Sequence, residues 1–248
     1  MNIITWNVRG LGRSSKRFLL KDFFQIHCAD ICCIQESKLT KLPQSIWREI
    51  GGTRLDKLAF IPSHGSAGGM IICWDGSLLK RRVVHIGTFY LTVEFLHLKD
   101  NFHRLRTSVY GPNSRDLKQS FWNEIKLSNG SISLPWVICR DFNAIFSTKD
   151  KMSGLPNLVD IHNANVLMSD LSLLEPPIFS RRFTWTNGQS DPNWVRLNRF
   201  VVNSNWTLHF PKVIYWDIFG ILDIFSYQRF DCIICIFLCI FRLDILGH

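Results

Sequence analysis

Short apolar runs bounded by turn residues recur along most of this chain, and three segments carry helical spacing instead. The first run, Ile3-Ile4-Thr5-Trp6, predicts a strand that enters the glycine turn Asn7-Val8-Arg9-Gly10-Leu11-Gly12. Ser14 stands where a helix cap is expected, and Phe18, Leu19, Phe23 and Phe24 give the following segment, to about His27, an apolar stripe. Ile31-Cys32-Cys33-Ile34 is continuously apolar, as in a buried strand, and delivers Gln35-Glu36-Ser37 at its end. Gly65 to Gly69 reads as a turn before a strand from Met70 to Trp74. Further strands are expected over Arg82 to Ile86, Tyr90 to His97 and Leu105 to Tyr110, where branched and aromatic residues suit a pleated sheet. A helix over Leu117 to Leu127 follows, then a strand from Trp136 to Cys139 and a helix from about Asp160 to Leu171. Phe183 to Gly188 reads as a strand entering a turn, and Val195 to Val202 as another strand. Strands outnumber helices and lie several together between them, so the expected class is α+β with packed sheets, not a doubly wound parallel sheet.

At 248 residues the chain is long enough for one sizeable core. Lys and Arg outnumber Asp and Glu by 29 to 20, a surplus that favours polyanionic partners through counterion release. The eight cysteines form no disulfide framework: Cys28, Cys32, Cys33, Cys73 and Cys139 lie in or beside apolar runs, where a thiol behaves as a small hydrophobe. Cys232-Ile-Ile-Cys235 lacks the second pair or histidines of a zinc site and reads as core packing. A reducing compartment, nucleus or cytoplasm, is therefore expected, and Met1 to Leu11 lacks the features of a secretory signal. The apolar stretch Cys232 to Phe241 is closed by Asp231 and Arg242 at about half the length of a membrane span, so a buried strand or helix is expected there and no membrane partner.

Three predicted strand ends deliver polar residues: Asn7 after the first, Glu36 after the second, and Asp141 with Asn143 after a later one. Two carboxylates and two carboxamides gathered at one sheet rim form the hard-oxygen donor set that Mg2+ prefers, with Mn2+ as an alternative. A plain structural role competes at each position. Asn7 suits a glycine turn, Glu36 suits a cap on the next helix, and Asp141-Phe142-Asn143 suits a loop that caps itself.

The order and wording of the motifs resemble the endonuclease/exonuclease/phosphatase (DNase I-like) superfamily. The matching stretches are Trp6 to Gly12, Ile34 to Leu39, Val109-Tyr110-Gly111-Pro112-Asn113 and Asp141 to Ile145. Ser66 to Asp75, Phe183 to Gln189 and Arg196-Leu197-Asn198-Arg199-Phe200 are similar to the endonuclease domains of plant non-LTR (LINE-type) retrotransposons. The resemblance covers roughly residues 1–211, and 212–248 read as a divergent apolar tail. It implies a four-layer α/β sandwich, with two packed, mainly antiparallel sheets flanked by helices. It also implies a monomeric Mg2+-dependent nuclease that nicks the phosphodiester backbone of DNA. Glu36 and Asn7 would hold the metal, Asp141 would orient and help deprotonate the attacking water, and Asn143 and Tyr110 would hydrogen-bond the scissile phosphate. In an intact element, the element's RNA and its reverse transcriptase would be partners.

Three positions depart from the family pattern. Arg140 stands where the family has glycine, and Asn198 stands where it has the aspartate that orients a catalytic histidine. Where the family closes with Ser-Asp-His, this chain reads Leu222-Asp223-Ile224, with no histidine between His209 and His248. The expectation is an inactive or crippled endonuclease, because loss of a proton-transfer group typically costs about 10²- to 10⁴-fold in rate. Without Ser-Asp-His and its strand, the first strand would need another neighbour, and Ile233 to Phe241 is apolar and β-prone enough to supply one. Two other readings stay open: a non-catalytic nucleic-acid-binding remnant, and a phosphoesterase acting on a small or lipid phosphoester.

Overall fold

The computed structural model describes residues 1–65, 67–128, 133–178, 182–210, 216–217 and 236–240. In chain order the elements are β1 (Asn2–Asn7), α1 (Ser14–Ile26), β2 (Ile31–Gln35), α2 (Gln44–Gly51), β3 (Lys57–His64), β4 (Ala67–Trp74) and β5 (Leu79–Ile86). Then come β6 (Tyr90–His97), β7 (His103–Tyr110), α3 (Arg115–Leu127), β8 (Trp136–Asp141), α4 (Leu158–Asp170) and β9 (Leu173–Leu174). The last are β10 (Trp185–Thr186), β11 (Trp194–Val195), β12 (Asn198–Asn203), α5 (Ser204–His209), β13 (Trp216–Asp217) and β14 (Ile236–Ile240).

Two six-stranded sheets result, ordered β13-β14-β1-β2-β4-β3 and β5-β6-β7-β8-β12-β9. Only β1 with β2 and β7 with β8 run parallel; the other pairs within these sheets are antiparallel. Alternation along each strand sends side chains to two different cores. On β1, Ile3 joins the core between the sheets, while Ile4 and Trp6 join the core under α1 and α2 with Phe23, Phe24 and Trp47. On the far side, Phe121, Trp122 and Ile125 of α3 and Leu167 of α4 cover Trp136 and Ile138 of β8. The architecture is an α+β four-layer sandwich.

β1 is an interior strand. It pairs with β2 on one side and antiparallel with β14 on the other, from Asn2↔Ile240 to Trp6↔Ile236. Cys232, Cys235 and Leu222-Asp223-Ile224 lie outside the described residues. Among the described residues, no helix is long and apolar enough to cross a membrane.

Several local expectations need correction. Ser14 is the first helical residue and not the cap: Arg13 holds the extended cap position, with no side-chain hydrogen bond. The glycine turn is shorter than expected, since β4 already includes Gly68 and Gly69. The strand expected over Val195 to Val202 is two, β11 and β12, because the chain breaks at Arg196 and Leu197. The sequence reading also missed α2, which is eight residues long, and β3, which contains Pro62. β3 tolerates that proline because it is a sheet edge, where one N–H is not needed for pairing.

Candidate functional site

The two parallel strand pairs set the geometry. β1 and β2 end together, with Asn7 opposite Gln35, and β7 and β8 end together, with Tyr110 opposite Asp141. These ends meet in a cavity of about 350 Å³, whose lining includes Asn7, Glu36, Tyr110, Asp141, Asn143 and Asn198. All six residues singled out from the sequence are brought together there.

Hydrogen bonds tie the set. Asn7 Nδ2 donates to Glu36 Oε1 at 2.6 Å, and the Tyr110 hydroxyl donates to the same oxygen at 3.1 Å. Glu36 Oε2 accepts no hydrogen bond from a described residue, and the side chain is half-buried at the cavity. Glu36 does not cap α2, whose cap position is Pro43. Asn7 also serves the glycine turn, since its Oδ1 accepts from the Arg9 backbone N–H at 3.2 Å. Asp141 Oδ1 accepts from the Asn143 N–H at 3.0 Å, so the self-capping loop is real as well.

Asp141 titrates above its ordinary value of 3.8. Burial is the main cause and nearby Glu36 adds to it, outweighing Arg140, the Asn143 N–H and a hydrogen bond from Asn7. Burial, then the charges of Glu36 and Asp141, push the Tyr110 phenol up as well, so it stays a donor.

The backbone here is held in unusual conformations. Among the described residues, eight other than glycine have positive φ, and five of them stand at or beside this cavity: Arg9, Glu36, Lys38, Arg140 and Asn143. Such conformations cost about 1–3 kcal/mol each and persist only where surroundings enforce them. Two glycines allow the close approaches. A Cβ on Gly111 would lie 2.2 Å from the Phe142 carbonyl oxygen, and one on Gly69 would lie 2.4 Å from Ser37 Oγ.

Sequence reasoning missed several participants. Arg9, Asn113, Trp185 and Leu197 also line the cavity. Lys118 of α3, buried, donates through Nζ to the carbonyl oxygens of Phe142 (3.1 Å) and Asn143 (2.5 Å), clamping the turn that carries Asn143. Its signal was available, because Lys118 falls on the same helical face as Phe121, Trp122 and Ile125. Arg140 is fully buried at φ 106° and turns inward to the Thr5 carbonyl oxygen.

The donor set suits a hard divalent cation. Glu36 offers a free carboxylate oxygen beside the Asn7 carboxamide and a second carboxylate, and waters complete such a shell. Asn198 stands opposite Asp141 on β12, and its buried Oδ1 has no hydrogen-bond partner. No histidine lines the cavity among the described residues.

No family model and no curated protein matches this sequence. Solved structures do match. An AP endonuclease from Archaeoglobus fulgidus aligns with a TM-score of 0.70 and 13% identity over 98% of this chain and 100% of that one. The AP endonuclease LMAP from Leishmania major gives 0.68 and 16%, over 96% and 86%. An endonuclease/exonuclease/phosphatase family protein from Bacteroides thetaiotaomicron gives 0.64 and 12%, over 96% of each chain. The chain has the DNase I-like fold. That fold explains why the carboxyl ends of the two parallel strand pairs share one cavity, but at these identities it leaves the substrate to the site itself.

Proposed function

We propose that this DNase I-like chain derives from a Mg2+-dependent DNA endonuclease of retrotransposon origin, and that its hydrolytic step is crippled. The observation that carries the reading is the convergence of Asn7, Glu36, Tyr110, Asp141 and Asn143 from four strand ends on one cavity. Glu36 and Asn7 would hold a divalent cation, which would supply charge to polarise a phosphoryl oxygen and to offset that of a leaving alkoxide. Asp141 orients a water for in-line attack. Its raised pKa suits a group that accepts the proton of that water. Tyr110 keeps its proton and donates to a phosphate oxygen, and Asn143 presents a carboxamide held in place by Gly111 and Lys118.

The retrotransposon origin rests on the wording of three stretches, Ser66 to Asp75, Phe183 to Gln189 and Arg196 to Phe200. The crippled step rests on Asn198, whose unpaired acceptor sits where the family orients a histidine, and on the absence of a histidine from the described lining. Those two observations also favour a second reading, a remnant that binds nucleic acid through its basic surplus without cutting it.

Plasmid nicking in Mg2+, with EDTA and Glu36→Ala controls, tests both. The expected result is a rate about 10²- to 10⁴-fold below that of an intact relative, abolished by either control. Salt-dependent DNA binding with no nicking selects the remnant. Nicking at the full rate of the relative removes the claim of a crippled step, and nicking that survives Glu36→Ala and EDTA removes this site as its source.

A further inference from the structure

The core between the two sheets is not uniformly apolar. Towards the functional end it is built from small and polar residues: Thr5, Cys33 and Gln35 on β1 and β2, facing Ser108, Cys139 and Arg140 on β7 and β8. Gln35 Nε2 reaches Ser108 Oγ at 2.6 Å, and Arg140 Nη1 reaches the Thr5 carbonyl oxygen at 2.8 Å. Cα atoms of β2 and β7, and of β1 and β8, come within 8 Å of each other. That is closer than the roughly 10 Å between the faces of stacked sheets.

Two thiols from opposite sheets sit in this narrow zone on one guanidinium. Arg106 Nε donates to Cys33 Sγ at 3.5 Å and Arg106 Nη2 donates to Cys139 Sγ at 3.3 Å. All three residues are buried, and Cys139 Sγ also donates to the Thr107 carbonyl oxygen at 3.4 Å, which keeps the proton on that sulfur. We propose that Cys33 and Cys139 are a covalent modification site, at which a hydroperoxide closes a disulfide that joins the two sheets.

The chemistry divides between the two sulfurs. Burial pushes both thiols up, but neighbouring Cys139 and the Arg106 guanidinium bring Cys33 down to about 6, while Cys139 stays well above its ordinary value. Cys33 is thus the nucleophile and Cys139 the resolving thiol. The Cys33 thiolate attacks one oxygen of hydrogen peroxide. The O–O bond breaks, a sulfenic acid forms, and the departing hydroxide takes a proton to become water. Cys139 sulfur then attacks Cys33 sulfur. The S–O bond breaks, the Cys139 proton leaves with the oxygen as a second water, and two thiols plus one peroxide have become one disulfide and two waters.

The other buried thiol pair is unlike this one. Cys32 and Cys73 face each other on neighbouring strands of one sheet, and Cys73 Sγ donates to the Cys32 carbonyl oxygen at 3.6 Å. Burial, then Cys73, push the Cys32 thiol up. It is expected to stay reduced. Closure of Cys33 with Cys139 would act directly under the functional site, because Glu36 follows Cys33 by three residues and Asp141 follows Cys139 by two. The proposal does not depend on the phosphodiesterase reading.

Peptide mapping of folded, peroxide-treated protein without reduction tests it, in a Cys28→Ser background that removes the exposed thiol among the described residues. The expected product is a Cys33–Cys139 linked peptide pair lighter than the two free-thiol peptides by two hydrogens, with Cys32 and Cys73 recovered as thiols. In Cys139→Ser protein the expected product is a Cys33 sulfenic acid captured by dimedone, and Arg106→Met should slow linkage about tenfold or more. Recovery of Cys33 and Cys139 as free thiols, a link to any other cysteine, or no dimedone adduct in the Cys139→Ser protein overturns the proposal. The Cys139→Ser arm decides the matter where Arg106→Met fails to fold.

Discussion

Arg140 Nη1 donates to the carbonyl oxygen of Thr5 at 2.8 Å, so a side chain from the end of β8 crosses the sandwich and bonds the backbone of β1. The two strands that deliver Asp141 and Asn7 are thereby linked just beneath the residues they present. The same guanidinium helps hold the Asp141 carboxyl down against its burial. Arg140 is thus an internal brace here. Its cost is a backbone at φ 106°, a conformation that L side chains rarely adopt.

Comparing Arg140→Gly with Arg140→Ala separates the brace from the strain. Both lose the bond to Thr5, but only alanine keeps a Cβ at positive φ. The glycine variant is expected to be the more stable of the two by about 1 kcal/mol. Urea unfolding of both proteins measures the difference, and equal stability would mean that the backbone relaxes at no cost.

Asp141 sets a pH dependence of definite sign. Its folded pKa is raised above 3.8, mainly by burial and then by Glu36. A raised carboxyl contributes stability that is fully present below the unfolded pKa and lost as pH rises through the folded one. Asp141→Asn should therefore match the parent in acid and exceed its stability at neutral pH, by about 1.4 kcal/mol for each unit separating the two pKa values. Melting curves from pH 3 to 7 give the comparison. A variant that falls further below the parent as pH rises contradicts the assignment.

The parts of this molecule that were legible in its sequence are those governed by local pattern. Ile3 to Trp6, Ile31 to Ile34 and Trp136 to Cys139 are apolar runs too short for helices, and each is a strand whose end carries a site residue. The meeting of Asn7, Glu36 and Asp141 was suggested by strand ends, but that of Tyr110 came only through motif order, because the packing of one sheet on the other that joins Tyr110 to Glu36 leaves no local trace. Lys118 and Arg140 show what pattern cannot carry. A lysine on an apolar helix face and an arginine in a glycine position announce a conflict, but only the folded chain reveals the carbonyl oxygens of Phe142, Asn143 and Thr5 that resolve it. β3 carries Pro62, which a strand accepts only at a sheet edge, and edge status is a property of the whole sheet.

Asp150 anchors the loop behind the site. Its Oδ2 accepts from the N–H groups of Phe146 (2.9 Å) and Ser147 (2.8 Å) and pairs with the buried guanidinium of Arg199. Arg199 also pairs with Glu175 at 2.8 Å and lies over the Phe146 ring, 4.3 Å from its centre. Asp150→Ala leaves that guanidinium short of a buried partner and frees two N–H groups, so a loss of about 3–5 kcal/mol is expected. Glu175→Ala should cost less, because Glu175 is the more exposed of the two carboxylates. Denaturant midpoints rank the pair, and the reverse order would place the main anchor at Glu175.

Cation binding can be detected without any turnover, which matters for a chain whose hydrolytic step is proposed to be crippled. Glu36 has one carboxylate oxygen tied to Asn7 and Tyr110 and another free of described hydrogen bonds, next to the Asp141 carboxyl. A ligand that binds only the folded state raises stability by RT ln(1 + [L]/Kd), about 2.7 kcal/mol at a hundredfold excess over Kd. Mg2+ should therefore raise the melting temperature of the parent, and Mn2+ should do the same. Glu36→Gln removes the charge but keeps acceptor and shape, so its own melting temperature should change little while the response to either metal is lost. Asn198→Asp should leave the response in place, because the proposed donors are Glu36 and Asn7. A Glu36→Gln protein that still gains stability from Mg2+ would move the cation site away from β1 and β2, and would take the endonuclease reading with it.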